Sequence, residues 1–180
     1  AGADGRGGRP DRALRRYAAA LRMGHPDPAE VLERVRALVD RDDARAIPAP
    51  VLLEVARGFA DRDASEAAMG LLERALETDR ALLEARRLLR TLYDQALARN
   101  PNQPGLRLRS GDLFVLAGEI NRAISEFKYA AQFPQSEHPA ARRLAAAYMR
   151  SRNLTLALDC YLGTSAMEAD LPDLYRQVGQ

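Results

Sequence analysis

The chain has no tryptophan, one cysteine, two histidines and one lysine among its 180 residues. Each scarcity excludes something. A single thiol, Cys160, cannot close an internal disulfide, which removes the disulfide-stapled class and leaves reducing and disulfide-free oxidising compartments open. His25, His138 and Cys160 stand more than twenty residues from one another, so they form neither a metal-ligand spacing nor a nucleophile pattern. Solvent-facing or capping roles are expected for the histidines, and a small, partly buried hydrophobic role for Cys160 between Asp159 and Tyr161. No signal peptide and no run of 18 apolar residues occurs, so direct membrane insertion by this chain is not expected. No glycine-rich loop follows a strand pattern, which leaves nucleotide-binding folds without support. Carboxylates such as Glu73 and Glu77 sit beside arginines such as Arg74 at helical spacing, as on a solvated face. Catalysis, a cofactor and a metal are therefore not expected.

What is present points to helix. Hydrophobic residues make up 47% and aromatics 6%, with Ala, Leu and Arg dominant and β-branched residues scarce. Of 27 basic residues all but Lys128 are arginines, as the coding bias of a GC-rich bacterial genome would produce. The net charge of +2 gives no global case for binding DNA, RNA or an acidic membrane. Locally, Arg80 to Arg109 holds seven arginines against Glu84 and Asp94, a net of +5. The chain begins at Ala1 without methionine, so it is expected to be a piece of a longer bacterial protein. Its compartment is open between cytoplasm and periplasm, and the parent could be membrane-anchored.

Residues 1–9 are glycine-rich and read as a linker. Helical periodicity then predicts helices at 11–23, 28–40, 49–61, 64–78, 81–99, 104–117, 120–132, 138–150 and 154–164, with a further one at 170–177. Asp27, Pro28 and Glu30 predict a capping box, and Asp63 with Glu66 repeats the arrangement before 64–78. Gly24, Gly58 and Gly118 fall where helix ends are expected, positions that favour a left-handed residue. The connections are so short that neighbouring helices must pack antiparallel.

A period adds more than the helices do. Phe114 and Tyr148, Ala123 and Ala157, and Phe127 and Tyr161 are each 34 residues apart, with Leu113/Ala147 and Ile124/Leu158 in the same register. With Gly111 and Phe114 on one helix, Gly118 at the turn, and Ala123, Phe127, Ala130 and then Pro134 after it, the stretch resembles the tetratricopeptide repeat family. The next unit keeps Leu144, Ala145, Tyr148, Ala157 and Tyr161, but has Arg152 for the turn glycine and Thr164 for the last alanine. Upstream, Val55, Ala56, Phe59, Ala68, Leu72 and Ala75 match, 21 residues out of phase with the later units. Small residues let paired helices approach while the aromatics fill the space beside them.

The resemblance implies an all-α fold, a right-handed α-solenoid of antiparallel helical hairpins. It predicts a single repeat domain over 10–180, with units at 10–43, 49–82, 104–137 and 138–171. An irregular long helix at 81–99 interrupts the middle. Leu171, Leu174, Tyr175 and Val178 would form a capping helix at 170–177.

The resemblance also implies a concave groove lined by the first helix of each unit. That places Leu53, Arg57 and Ala60 upstream, Leu108, Arg109, Asp112 and Val115 in the middle, and Arg142, Arg143, Ala146, Met149 and Arg150 last. The expected partner is a protein or peptide, and guanidinium groups suit an acidic segment or a terminal carboxylate. The alternative for these arginines is solubility alone. The asparagines of family members that clamp a chaperone C-terminus are replaced by Arg57, Asp112 and Ala146, which argues against that role. Two other functions stay open. One is polyanion or nucleic-acid contact through Arg86, Arg87, Arg90 and Arg99, with Tyr93 the only interleaved aromatic. The other is a structural spacer or homo-oligomerisation module.

Overall fold

The computed structural model describes residues 10–23, 27–39 and 47–162. The glycine-rich start, Gly24, His25, the 40–43 end of the first expected unit, Thr164 and the expected capping helix with Leu171, Leu174, Tyr175 and Val178 lie outside the described residues. Those described form nine α-helices and no strand: α1 (Pro10–Arg22), α2 (Pro28–Val39), α3 (Ala49–Ala60), α4 (Ser65–Thr78), α5 (Leu83–Arg99), α6 (Pro104–Leu116), α7 (Ile120–Ala130), α8 (Glu137–Arg150) and α9 (Leu154–Leu162). Their ends fall within two residues of the positions that periodicity predicts. Pro134 opens a 3-10 turn, Pro134–Ser136, that leads directly into α8.

The chain divides into two compact units, Ala1–Leu92 and Tyr93–Gln180, and the division falls inside α5. In the first, α3 and α4 form a hairpin and α1 packs on α3. Leu14, Ala18 and Leu21 recur at helical spacing on α1 and are fully buried. Gly58, expected at a helix end, is instead buried inside α3. A Cβ there would lie 2.9 Å from that of Leu21, so its missing side chain allows α1 to come close. In the second unit α6 pairs with α7, α8 with α9, and α7 lies against α8. Phe114, Ala123, Phe127, Ala130, Ala140, Leu144, Tyr148 and Ala157 share its core. α5 runs unbroken for 17 residues and buries Ala85, Leu89, Leu92, Tyr93 and Leu97 along one stripe.

Three hairpins close with the same turn. Asp63, Gly118 and Arg152 have φ of 56°, 78° and 59°. In each, the amide of the next residue donates to the carbonyl of an aromatic five positions back: Ala64 to Phe59 (3.0 Å), Glu119 to Phe114 (2.9 Å) and Asn153 to Tyr148 (2.9 Å). The left-handed residue's own amide donates to Ala60, Val115 or Met149, which completes a Schellman motif. Asp63 is thus the terminator of α3 and not the cap of α4, whose N-cap Ala64 has no side-chain bond. At α2 the expected cap does form, with the Ala29 amide donating to Asp27 Oδ1 at 3.0 Å. Glu30 accepts a hydrogen bond from Arg34 instead, because one turn along the helix places a guanidinium within reach.

Candidate partner-binding face

On α6, Arg109, Asp112 and Val115 recur every three residues and fall along one side of the helix. On α8, Arg142, Arg143, Ala146, Met149 and Arg150 recur at spacings of three and four and likewise share one side. These are the first helices of successive hairpins, and they touch. Arg143 Nε donates to both Asp112 carboxylate oxygens at 2.9 Å, across 31 residues of sequence, and its Nη1 reaches the Pro139 carbonyl at 3.4 Å. Val115 and Met149 are half-buried and rest on the core, while Ala146 is exposed between the Arg142/Arg143 and Met149/Arg150 pairs. Val115, Ala146 and Met149 thus place partly exposed apolar groups among guanidinium-bearing residues. Leu108, expected to line the groove, is 8% exposed and belongs to the core beneath. Arg109 lies half-buried with its guanidinium 5.5 Å from the centre of the Tyr93 ring.

The upstream residues stand in the first unit. Leu53 is buried there, Ala60 is half-buried, and Arg57 is exposed and bonded to Glu84 of α5. Sequence alone presents Glu84 only as a neighbouring charge, since a partner 27 residues away leaves no periodic trace. The Asp112–Arg143 separation of 31 residues, by contrast, is close to the 34-residue repeat less one helical turn, although the pair itself is not repeated. Adjacent equivalent helices in register bring such residues together.

The basic stretch from Arg80 to Arg109 is tied down at several points. Arg107 donates to Glu126 at 2.9 Å and stacks 4.3 Å from the Tyr129 ring centre, whose hydroxyl donates to Asn102 at 3.0 Å. Arg86 donates to the Arg80 carbonyl at 2.9 Å. Tyr93 is 1% exposed, so its ring is not offered to a base. These contacts weaken the nucleic-acid reading, which needs exposed aromatics among free cations.

Cys160 is partly buried. Its thiol pKa is pushed up by burial and then by Asp159, with Lys128 opposing. His138 is exposed near the start of α8. Among the described residues no group of three or more His, Cys, Asp or Glu could hold a metal ion. Among the same residues no helix is long and apolar enough to cross a membrane.

In all three hairpins a small residue lies three positions before the aromatic that accepts the turn bond: Ala56, Gly111 and Ala145, each buried. The hairpin pattern resembles that of tetratricopeptide repeats. No family model and no curated protein matches the chain. Solved structures do. MamA of AMB-1 is 17% identical, with 87% of this chain and 98% of that one covered at a TM-score of 0.43. A thermophilic TPR protein of Thermus thermophilus is 19% identical over 92% and 90%, at 0.42. MamA of Desulfovibrio magneticus RS-1 is 15% identical over 91% and 97%, at 0.40.

Proposed function

We propose that this chain is a protein-interaction module whose second unit receives an extended acidic segment of a partner on the α6/α8 face. The observation that carries this reading is the placement of the partly exposed Val115, Ala146 and Met149 among Arg142, Arg143 and Arg150. Apolar side chains of a peptide would rest on these apolar groups while its carboxylates meet the guanidinium forks, which bind carboxylates in two-pronged geometry. Three side chains, two of them half-buried, supply modest area, so charge would dominate the selection of partner.

The test is an array of capped peptides in which acidic content and leucine content vary independently. Binding should rise with both. The Arg142→Glu, Arg143→Glu, Arg150→Glu triple variant, with helicity and melting unchanged, should lose the acidic preference. An unchanged preference in that variant would overturn the assignment of this face.

A further inference from the structure

We infer that Asp112 is a built-in competitor for the carboxylate of an incoming acidic side chain, so that it sets the affinity and charge selectivity of the α6/α8 face. The inference rests on the proposed function and adds a specificity-determining residue to it. The Nε of Arg143 lies 2.9 Å from both oxygens of Asp112, so one of the donors that a partner carboxylate would use is already engaged. The pair is also accessible, with side chains 38% and 49% exposed, which leaves it screened by water and weak enough to exchange. A buried, rigid ion pair would have no such part in recognition. Asp112 stands one helical turn from Arg109 and faces α8, whose stripe carries Arg142, Arg143 and Arg150. It is therefore the acidic member of a face that otherwise presents basic and apolar groups. An acidic ligand must displace Asp112 or bind against its charge, whereas a neutral ligand of the same shape faces neither cost.

The experiment titrates the chain with a fluorescent octapeptide of alternating glutamate and leucine, blocked at its C-terminus so that only side-chain carboxylates are presented. The glutamine counterpart serves as control. Asp112→Asn keeps the side chain's size and removes its charge. It should tighten the glutamate peptide by about two- to fivefold, the range set by an exposed ion pair. The gain should shrink as salt rises, and the glutamine peptide should be unaffected. Arg143→Gln should weaken the glutamate peptide and abolish the effect of Asp112→Asn in the double variant. If the unaltered chain binds the glutamate peptide and Asp112→Asn leaves that affinity unchanged or weaker, the competitor role is wrong while the face stands. If the chain binds neither peptide, the acidic-peptide reading falls and this inference with it. A large drop in melting temperature for Asp112→Asn would make the pair a structural clamp and would also overturn the inference.

Discussion

Two glycine-to-alanine changes in this chain should have opposite signs. Gly70 lies in the middle of α4, and Gly118 is the left-handed terminator of α6. Space decides neither, since a Cβ at either position would meet nothing within 4 Å. At Gly70 the change removes a poor helix former from a helix interior and should stabilise by up to about 1 kcal/mol. At Gly118 a φ of 78° puts an L-residue where Cβ crowds the following carbonyl, at about 1–2 kcal/mol. Reduced freedom of the unfolded chain returns about 0.4–1 kcal/mol of that, so Gly118→Ala should destabilise by about 1 kcal/mol. Arg152 occupies the equivalent turn with a φ of 59°, so Arg152→Gly should stabilise by a similar amount. Asp63→Gly should do less, because aspartate tolerates the left-handed region better than arginine. Urea unfolding followed by circular dichroism reads each difference as a midpoint shift at constant slope. In melting temperature, 1 kcal/mol corresponds to about 2–4 °C for a chain of this size. A neutral Gly118→Ala, or an Arg152→Gly that loses stability, would refute the common-turn account.

At Gly111 space does decide: a Cβ there would come within 2.7–2.8 Å of the Cδ1 and Cζ atoms of the buried Phe127 ring. Overpacking of about 1–3 kcal/mol should exceed the helix-propensity gain, so Gly111→Ala should lower the urea midpoint, and Phe127→Leu should recover part of the loss in the double variant. Glu126→Gln removes the charged partner of Arg107 at a site only 19–20% exposed, where Arg107 Nε is already buried without a hydrogen bond. A loss of about 1–2 kcal/mol in the same unfolding assay is expected. Cys160 should alkylate more slowly in the folded chain than in urea at pH 8, because a raised thiol pKa means less thiolate. The sign follows for stability: the contribution is intact below the unfolded thiol's pKa and is lost as pH rises through the higher folded one, so alkaline titration should lower the midpoint of the unaltered chain relative to Cys160→Ala.

Helix positions were legible because the apolar stripes are regular and the stretches are rich in Ala, Leu and Arg, so local preference and burial agree. The turns were harder to read, for a reason that Asp63 and Arg152 make concrete. Among the three described hairpin turns, a glycine marks the left-handed residue at Gly118 alone. At the other two turns the register is carried by Phe59 and Tyr148, whose carbonyls accept the same closing bond. Asp63 followed by Glu66 then mimics a capping box, because the residue types that cap a helix start are also those that tolerate a left-handed stop. Gly58 misleads in the opposite direction. It lies two residues from the end of α3, as a terminator might, but serves the approach of Leu21 from a helix more than thirty residues earlier.

The face shows the same limit at finer scale. The resemblance put Leu53 and Leu108 with Arg57 and Arg109, yet the first members of these pairs are buried while Arg57 is exposed and Arg109 half-buried. A residue at the edge of a stripe can turn to either side, and only the neighbouring helix settles which. Asp112 and Arg143 show what the repeat can settle. Their equivalents one period away are Ala146 and Arg109, so the pair is written once and not repeated. A structural contact required by every hairpin junction would recur with the period. Exposed ion pairs do join other helices, Arg22 with Glu54 between α1 and α3 and Arg57 with Glu84 between α3 and α5, so what sets Asp112 and Arg143 apart is their place among Val115, Ala146 and Met149 on the arginine-rich α6/α8 side.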